Sequence, residues 1–126
     1  MAEGLCVFFG AKMLKIAAAA FTLSWTHSVE KTVWQEDWIV EKGQLRIVEA
    51  RIKGSGAGME PPAGAILRDG WWHYTPKLAG QKRLNLASSR ATVSAWTLCA
   101  KGECRQLGGT AGSAIQLFAC PTSEKP

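Results

Sequence analysis

A chain of 126 residues, 47% apolar and 20% charged, carries enough hydrophobic side chains to bury one core and is neither a disordered tail nor a multidomain machine. Fifteen basic against ten acidic residues leave a net charge of +5, spread from Lys12 to Lys125 rather than clustered, so no nucleic-acid footprint is present. No stretch approaches the ~18–20 apolar residues that cross a bilayer as a helix, and no cofactor motif stands out.

In chain order, Lys12 and Lys15 precede an apolar run at 16–23 in the manner of a secretion signal. The run is short and passes into Ser24-Trp25-Thr26 without a cleavage region, so it is read as part of the fold. That reading favours a soluble cytoplasmic domain, with a periplasmic or membrane-peripheral one as the alternative. Residues 5–9 and 12–18, joined by Gly10-Ala11, suit an opening hairpin, although the alanines at 17–20 also allow a helical turn. Phe21, Leu23, Trp25 and His27 then alternate with Thr22, Ser24, Thr26 and Ser28, the period of a half-buried strand. Trp34, Glu36, Trp38 and Val40 alternate likewise with Val33, Gln35, Asp37 and Ile39. If these two runs pair, their apolar faces coincide when Trp25 lies opposite Trp34 or opposite Glu36; a slip of one residue turns the indoles to solvent.

Lys42-Gly43-Gln44 marks a turn into a strand over 45–53. There the apolar phase changes from Leu45 and Ile47 to Val48, Ala50 and Ile52, the sign of a bulge or of burial on both faces. The stretch from Gly54 through Ser55, Gly56, Gly58 and Met59 to the Pro61-Pro62 pair is a loop. Short strands are expected around 65–67, 71–74, 84–87, 93–98, 105–107 and 115–119, punctuated by Asp69-Gly70, Pro76, Lys101-Gly102 and Gly108-Gly109. About ten short strands make an all-β fold: a single-domain antiparallel β-sandwich or partly closed barrel over 1–120, followed by a disordered tail, 121–126.

Four cysteines divide into one close pair and two that stand alone near the chain ends, Cys6 and Cys120. Cys99 and Cys104 flank the Lys101-Gly102 turn and are placed for a disulfide; two isolated partners do not complete a zinc set. The chemistry-bearing residues are His27, Ser28, Glu30 and Lys31 at the hairpin end, Glu36 and Glu49 within strands, and the glycine loop. His27 on an apolar face reads first as a core-edge imidazole, and Ser28 points to the other face of a strand. Glu36 among tryptophans is either at a rim, paired with a basic residue, or desolvated, and Glu49, two positions before Arg51, is expected to join it, first as part of a salt-bridged structural cluster. A hydrolase or metal-dependent activity is the alternative if His27, Glu36 and Glu49 converge. The glycine loop lacks the lysine of a phosphate-binding loop and does not open a helix. Trp71 and Trp72 face opposite ways on one strand, one in the core and the other available for contact.

The run from Phe21 to Trp38 containing His27-Ser28-Val29-Glu30, then Glu49-Ala50-Arg51 leading into Gly54-Ser55-Gly56-Ala57-Gly58-Met59-Glu60-Pro61-Pro62, Asp69-Gly70-Trp71-Trp72 and the Cys99 to Cys104 pair, resembles a small bacterial family known as domain of unknown function 1850. The resemblance spans almost the whole chain. It implies an association with TAXI-type TRAP transporters, which import small carboxylates with an extracytoplasmic solute-binding protein, because genes of this family commonly lie beside theirs. The expected role is therefore a non-enzymatic accessory domain that contacts the transporter membrane subunit or its solute-binding protein, or senses a ligand. The expected surface is the 27–31 hairpin end with the 54–59 loop, beside Trp34 or Trp72. A purely structural subunit is the third reading.

Overall fold

The computed structural model describes residues 2–9, 12–26, 32–53, 63–87, 96–107 and 114–122. They form β1 (Ala2–Phe9), β2 (Lys12–Ile16), β3 (Ala20–Thr26), β4 (Val33–Glu41), β5 (Gln44–Lys53), β6 (Ile66–Arg68), β7 (Trp71–Tyr74), β8 (Leu84–Ala87), β9 (Trp96–Ala100), β10 (Glu103–Leu107) and β11 (Ala114–Thr122), with no helix among the described residues. Two antiparallel sheets stack as a sandwich that does not close into a barrel. One has four strands in the order β2-β1-β11-β8, and the other seven in the order β10-β9-β3-β4-β5-β7-β6.

Local chemistry sets this architecture. Lys42-Gly43, Asp69-Gly70 and Lys101-Gly102 are two-residue turns with φ of 53° and 75°, 54° and 83°, and 54° and 77°. Positive φ at both positions matches the twist of the flanking strands, and glycine at the second takes it without a Cβ penalty. The β3–β4 pair adopts the register with Trp25 opposite Trp34. The phase change in β5 is a bulge: Asp37 pairs with Glu49 but Trp38 with Ile47, so Val48 is the extra residue. Val48 therefore joins neither buried phase and is 42% exposed, while Leu45, Ile47, Ala50 and Ile52 are buried.

The core between the sheets joins Leu5 and Val7 of β1, Leu86 of β8 and Ile115 and Leu117 of β11 to Phe21, Leu23, Trp38, Val40, Leu45, Ile47, Ala50 and Leu98 of the larger sheet. The alanines at 17–20 make no helical turn. β2 stops at Ile16, and residues 17–19 carry the chain from one sheet to the other, with Ala18 buried and the Ala19 carbonyl accepting from Val40 N–H.

Cys6 and Cys120 do not stand alone: they form a disulfide with Cα atoms 5.8 Å apart. Their separation of 114 positions hid the pairing, which depends on β1 lying against β11. Gly4 faces Cys120 and Cys6 faces Phe118, so the two sulfurs meet on the diagonal. Cys99 and Cys104, directly opposite on β9 and β10, are also bridged. β11 runs through Pro121 and Thr122, and the rest of the segment 121–126 lies outside the described residues.

Candidate functional site

Alternation gives β4 two faces of opposite chemistry. On the face turned toward the other sheet, Trp25, Trp34, Ile52 and Trp72 are successive cross-strand partners through β3, β4, β5 and β7. Trp96 of β9 extends this row, with its ring 4.6 Å from that of Trp25. Trp25 and Trp34 stack with centroids 6.0 Å apart. The neighbouring row runs Leu98, Leu23, Glu36, Ala50, Tyr74. Among the described residues the core cluster between the sheets takes in Trp25, Trp96 and Tyr74 but not Trp34 or Trp72, which stay partly exposed on either side of the buried Ile52.

Glu36 is the one acid on this face of β9, β3, β4, β5 and β7 among the described residues. Trp38 Nε1 donates to its Oε1 at 2.9 Å. Burial nevertheless holds its carboxyl above the usual range, with the Trp38 hydrogen bond opposing the shift. Ala50 places only a methyl group between Glu36 and Tyr74 in the row. The Tyr74 phenol is raised as well, chiefly by burial and then by the Glu36 charge. Trp34 Nε1 is a buried donor with no hydrogen-bond partner among the described residues, an arrangement that native structures rarely leave unanswered.

On the opposite face, charges are matched. Asp37 accepts from Thr22 Oγ1 at 2.8 Å and from Arg51 Nη1 and Nη2 at 2.7 and 3.1 Å. Arg51 also donates to Glu49 Oε1 at 2.8 Å and to Gln35 Oε1 at 3.1 Å. These bonds hold Asp37 below the usual carboxylate range, Arg51 being the principal cause. His73 Nδ1 lies 3.4 Å from Glu49 Oε2, close enough for an ionic contact but without hydrogen-bond alignment. Beside this network is a depression of about 470 Å³, lined by Thr22, Asp37, Ile39, Val48, Cys99 and Lys101 among others.

The structure separates Glu36 from Glu49. Glu36 is on the inner face, whereas Glu49 is paired with Arg51 on the outer one, so the two carboxylates do not converge on one ligand. The reason is the bulge at Val48, which restores alternation out of step and turns Glu49 outward. Trp72 lies half-buried on the inner face beside Ile52; of the pair, Trp71 faces away from the other sheet, beneath the Lys53 ammonium at 5.4 Å. His27, Ser28, Glu30, Lys31, Gly54, Ser55, Gly56, Gly58 and Met59 lie outside the described residues. The strand ends that flank their segments are neighbours: Thr26 pairs with Val33, Trp34 with Ile52, and Lys53 with Trp71. Sequence reading missed the Asp37–Arg51–Thr22 network. Its signal was the alternation of Gln35 with Asp37 and of Glu49 with Arg51, which becomes a cluster only once Asp37 is set opposite Glu49.

Fold and site together define an all-β sandwich whose larger sheet bears a tryptophan row with one carboxylate in the row beside it. The family described as Domain of unknown function (DUF1850) matches residues 21–107, more than half of the chain, and the protein belongs to it. That span takes in β4 to β10, nearly all of β3 and both carboxylate environments, and leaves out β1, β2 and β11 with the Cys6–Cys120 bridge. No curated protein and no solved structure matches the chain.

Proposed function

We propose that this chain is a binding domain without catalysis of its own, serving a TAXI-type TRAP transporter through contact with its membrane subunit or its solute-binding protein. The observation that supports a binding role is Glu36, a half-buried acid held beside a row of partly exposed indoles. Such a carboxylate costs stability and is retained where it meets a ligand or partner. The transporter is supplied by the resemblance carried on His27-Ser28-Val29-Glu30 and the Gly54 to Met59 loop, whose flanking strands end beside that row. Both bridges, Cys6–Cys120 and Cys99–Cys104, leave no free cysteine in the chain. Paired thiols persist in oxidising compartments and are rare in the cytosol. They favour the periplasmic alternative over the cytoplasmic one, and the solute-binding protein works on that side.

Affinity purification of the tagged transporter, membrane subunit and solute-binding protein in separate experiments, tests the partner. The native chain is expected to co-purify with one of them, and His27→Ala with Glu30→Ala to weaken recovery. Absence of the chain from both eluates would overturn the reading.

A further inference from the structure

We propose that Glu36 and the tryptophan row form a site for an organic ammonium, a cation sheathed in carbon such as a quaternary amine. The inference rests on reading this domain as a binding module, and it names the chemistry of what is bound.

Three features of the inner face argue for a cation with an apolar coat. First, charge: Glu36 has no basic side chain in its own row or the adjoining ones on the five central strands, where its neighbours are Leu23, Ala50, Trp34, Trp38 and Tyr74. Asp37, one residue along, shows how this sheet neutralises an acid when neutrality serves the fold, with a guanidinium and a hydroxyl. Second, surroundings: the Trp25 ring contacts those of Trp34 and Trp96 on either side, and the Trp38 indole is hydrogen-bonded to the carboxylate itself. Indole faces attract cations, and most strongly those that shed little hydration, which selects an alkylated ammonium over a metal ion or a bare one. Third, access: Trp25, Trp34, Glu36, Trp72, Tyr74 and Trp96 are all partly exposed.

The outer depression is the weaker candidate. Its acid, Asp37, is already saturated by Arg51 and Thr22, and its cation, Lys101, is an exposed turn residue.

Two probes of equal shape and different charge test the proposal on the native chain: choline, and 3,3-dimethyl-1-butanol, its neutral carbon counterpart. Tryptophan fluorescence is the readout, since the indoles form the wall. Choline is expected to give a saturable change, and the neutral alcohol to bind about tenfold more weakly or not at all. Glu36→Gln keeps an acceptor for Trp38 Nε1, and is expected to weaken choline by about tenfold while leaving the far-ultraviolet circular dichroism unchanged. No saturable response to choline, or equal affinity for choline and its neutral counterpart, overturns the proposal, whether or not the variant folds. Co-purification with the transporter uses no amine. Loss of choline binding with the complex retained sinks the site alone, and loss of the complex sinks the partner alone.

Discussion

Glu36 and Asp37 are adjacent acids on β4, set on opposite faces by strand alternation. The fold treats them oppositely. Asp37 faces outward into a guanidinium and a hydroxyl and is held below the usual carboxylate range. Glu36 faces inward among indoles, accepts from Trp38 Nε1, and is held above it by burial. An acid whose charge stabilises the sheet is structural; an acid whose charge is kept at a cost is a candidate for function.

The sharpest way to break this contrast is Arg51→Met. It removes the cation shared by Asp37 and Glu49, which are directly opposite each other across β4 and β5. Like charges then face one another, and a loss of about 2–3 kcal/mol is expected in urea unfolding. Asp37→Asn keeps the shape and removes one charge. Because Asp37 is more than a third exposed, the screened loss is about 1 kcal/mol at neutral pH. Its pH dependence has a definite sign: the folded-state pKa is lowered, so the stability that Asp37 confers is complete above the ordinary carboxylate range and is lost as pH falls through the lowered value. The difference between native and Asp37→Asn unfolding curves should therefore shrink on acidification.

Glu36→Gln carries the smallest expected effect and the opposite sign. With the folded pKa raised, the Glu36 contribution is complete below its ordinary range and is lost as pH rises through the raised value. The variant should gain about 0.5 kcal/mol at neutral pH, after allowance for partial solvent screening, and converge with the native chain in acid. A loss of stability at neutral pH would mean that Glu36 has a cationic partner and that the two acids are alike.

How far the sequence reached follows from which forces are local. Period-two alternation and the two-residue turns are written within a few positions, so the all-β class and the turn at Lys101-Gly102 were legible, and the β3–β4 register was narrowed to Trp25 opposite Trp34 or opposite Glu36, of which the fold takes the first. The bulge was legible as a phase change in 45–52, but not its consequence that Val48 is expelled and Glu49 turned away from Glu36. The Cys6–Cys120 bridge and the Asp37–Arg51 pair depend on which strands are neighbours. Alternation fixes the face of a side chain and says nothing about strand order. The candidate site was half legible for the same reason: Glu36 and Trp34 were marked by alternation along one strand, while the row that sets Trp34 with Trp25, Trp72 and Trp96 beside Glu36 needed the pairing of five strands.

The adjacency of β1 and β11 also orders assembly in time. The larger sheet is drawn from residues 20–107, mostly by hairpins that close over short spans, whereas the smaller one pairs the first strand of the chain with the last. Contacts of such long range form late. During synthesis, therefore, the indole row can be complete while β11, which joins β1 to β8 over the core, is still missing, leaving an apolar surface that invites aggregation. β11 acts as a latch that ends this vulnerable interval, and oxidation of Cys6 with Cys120 locks it.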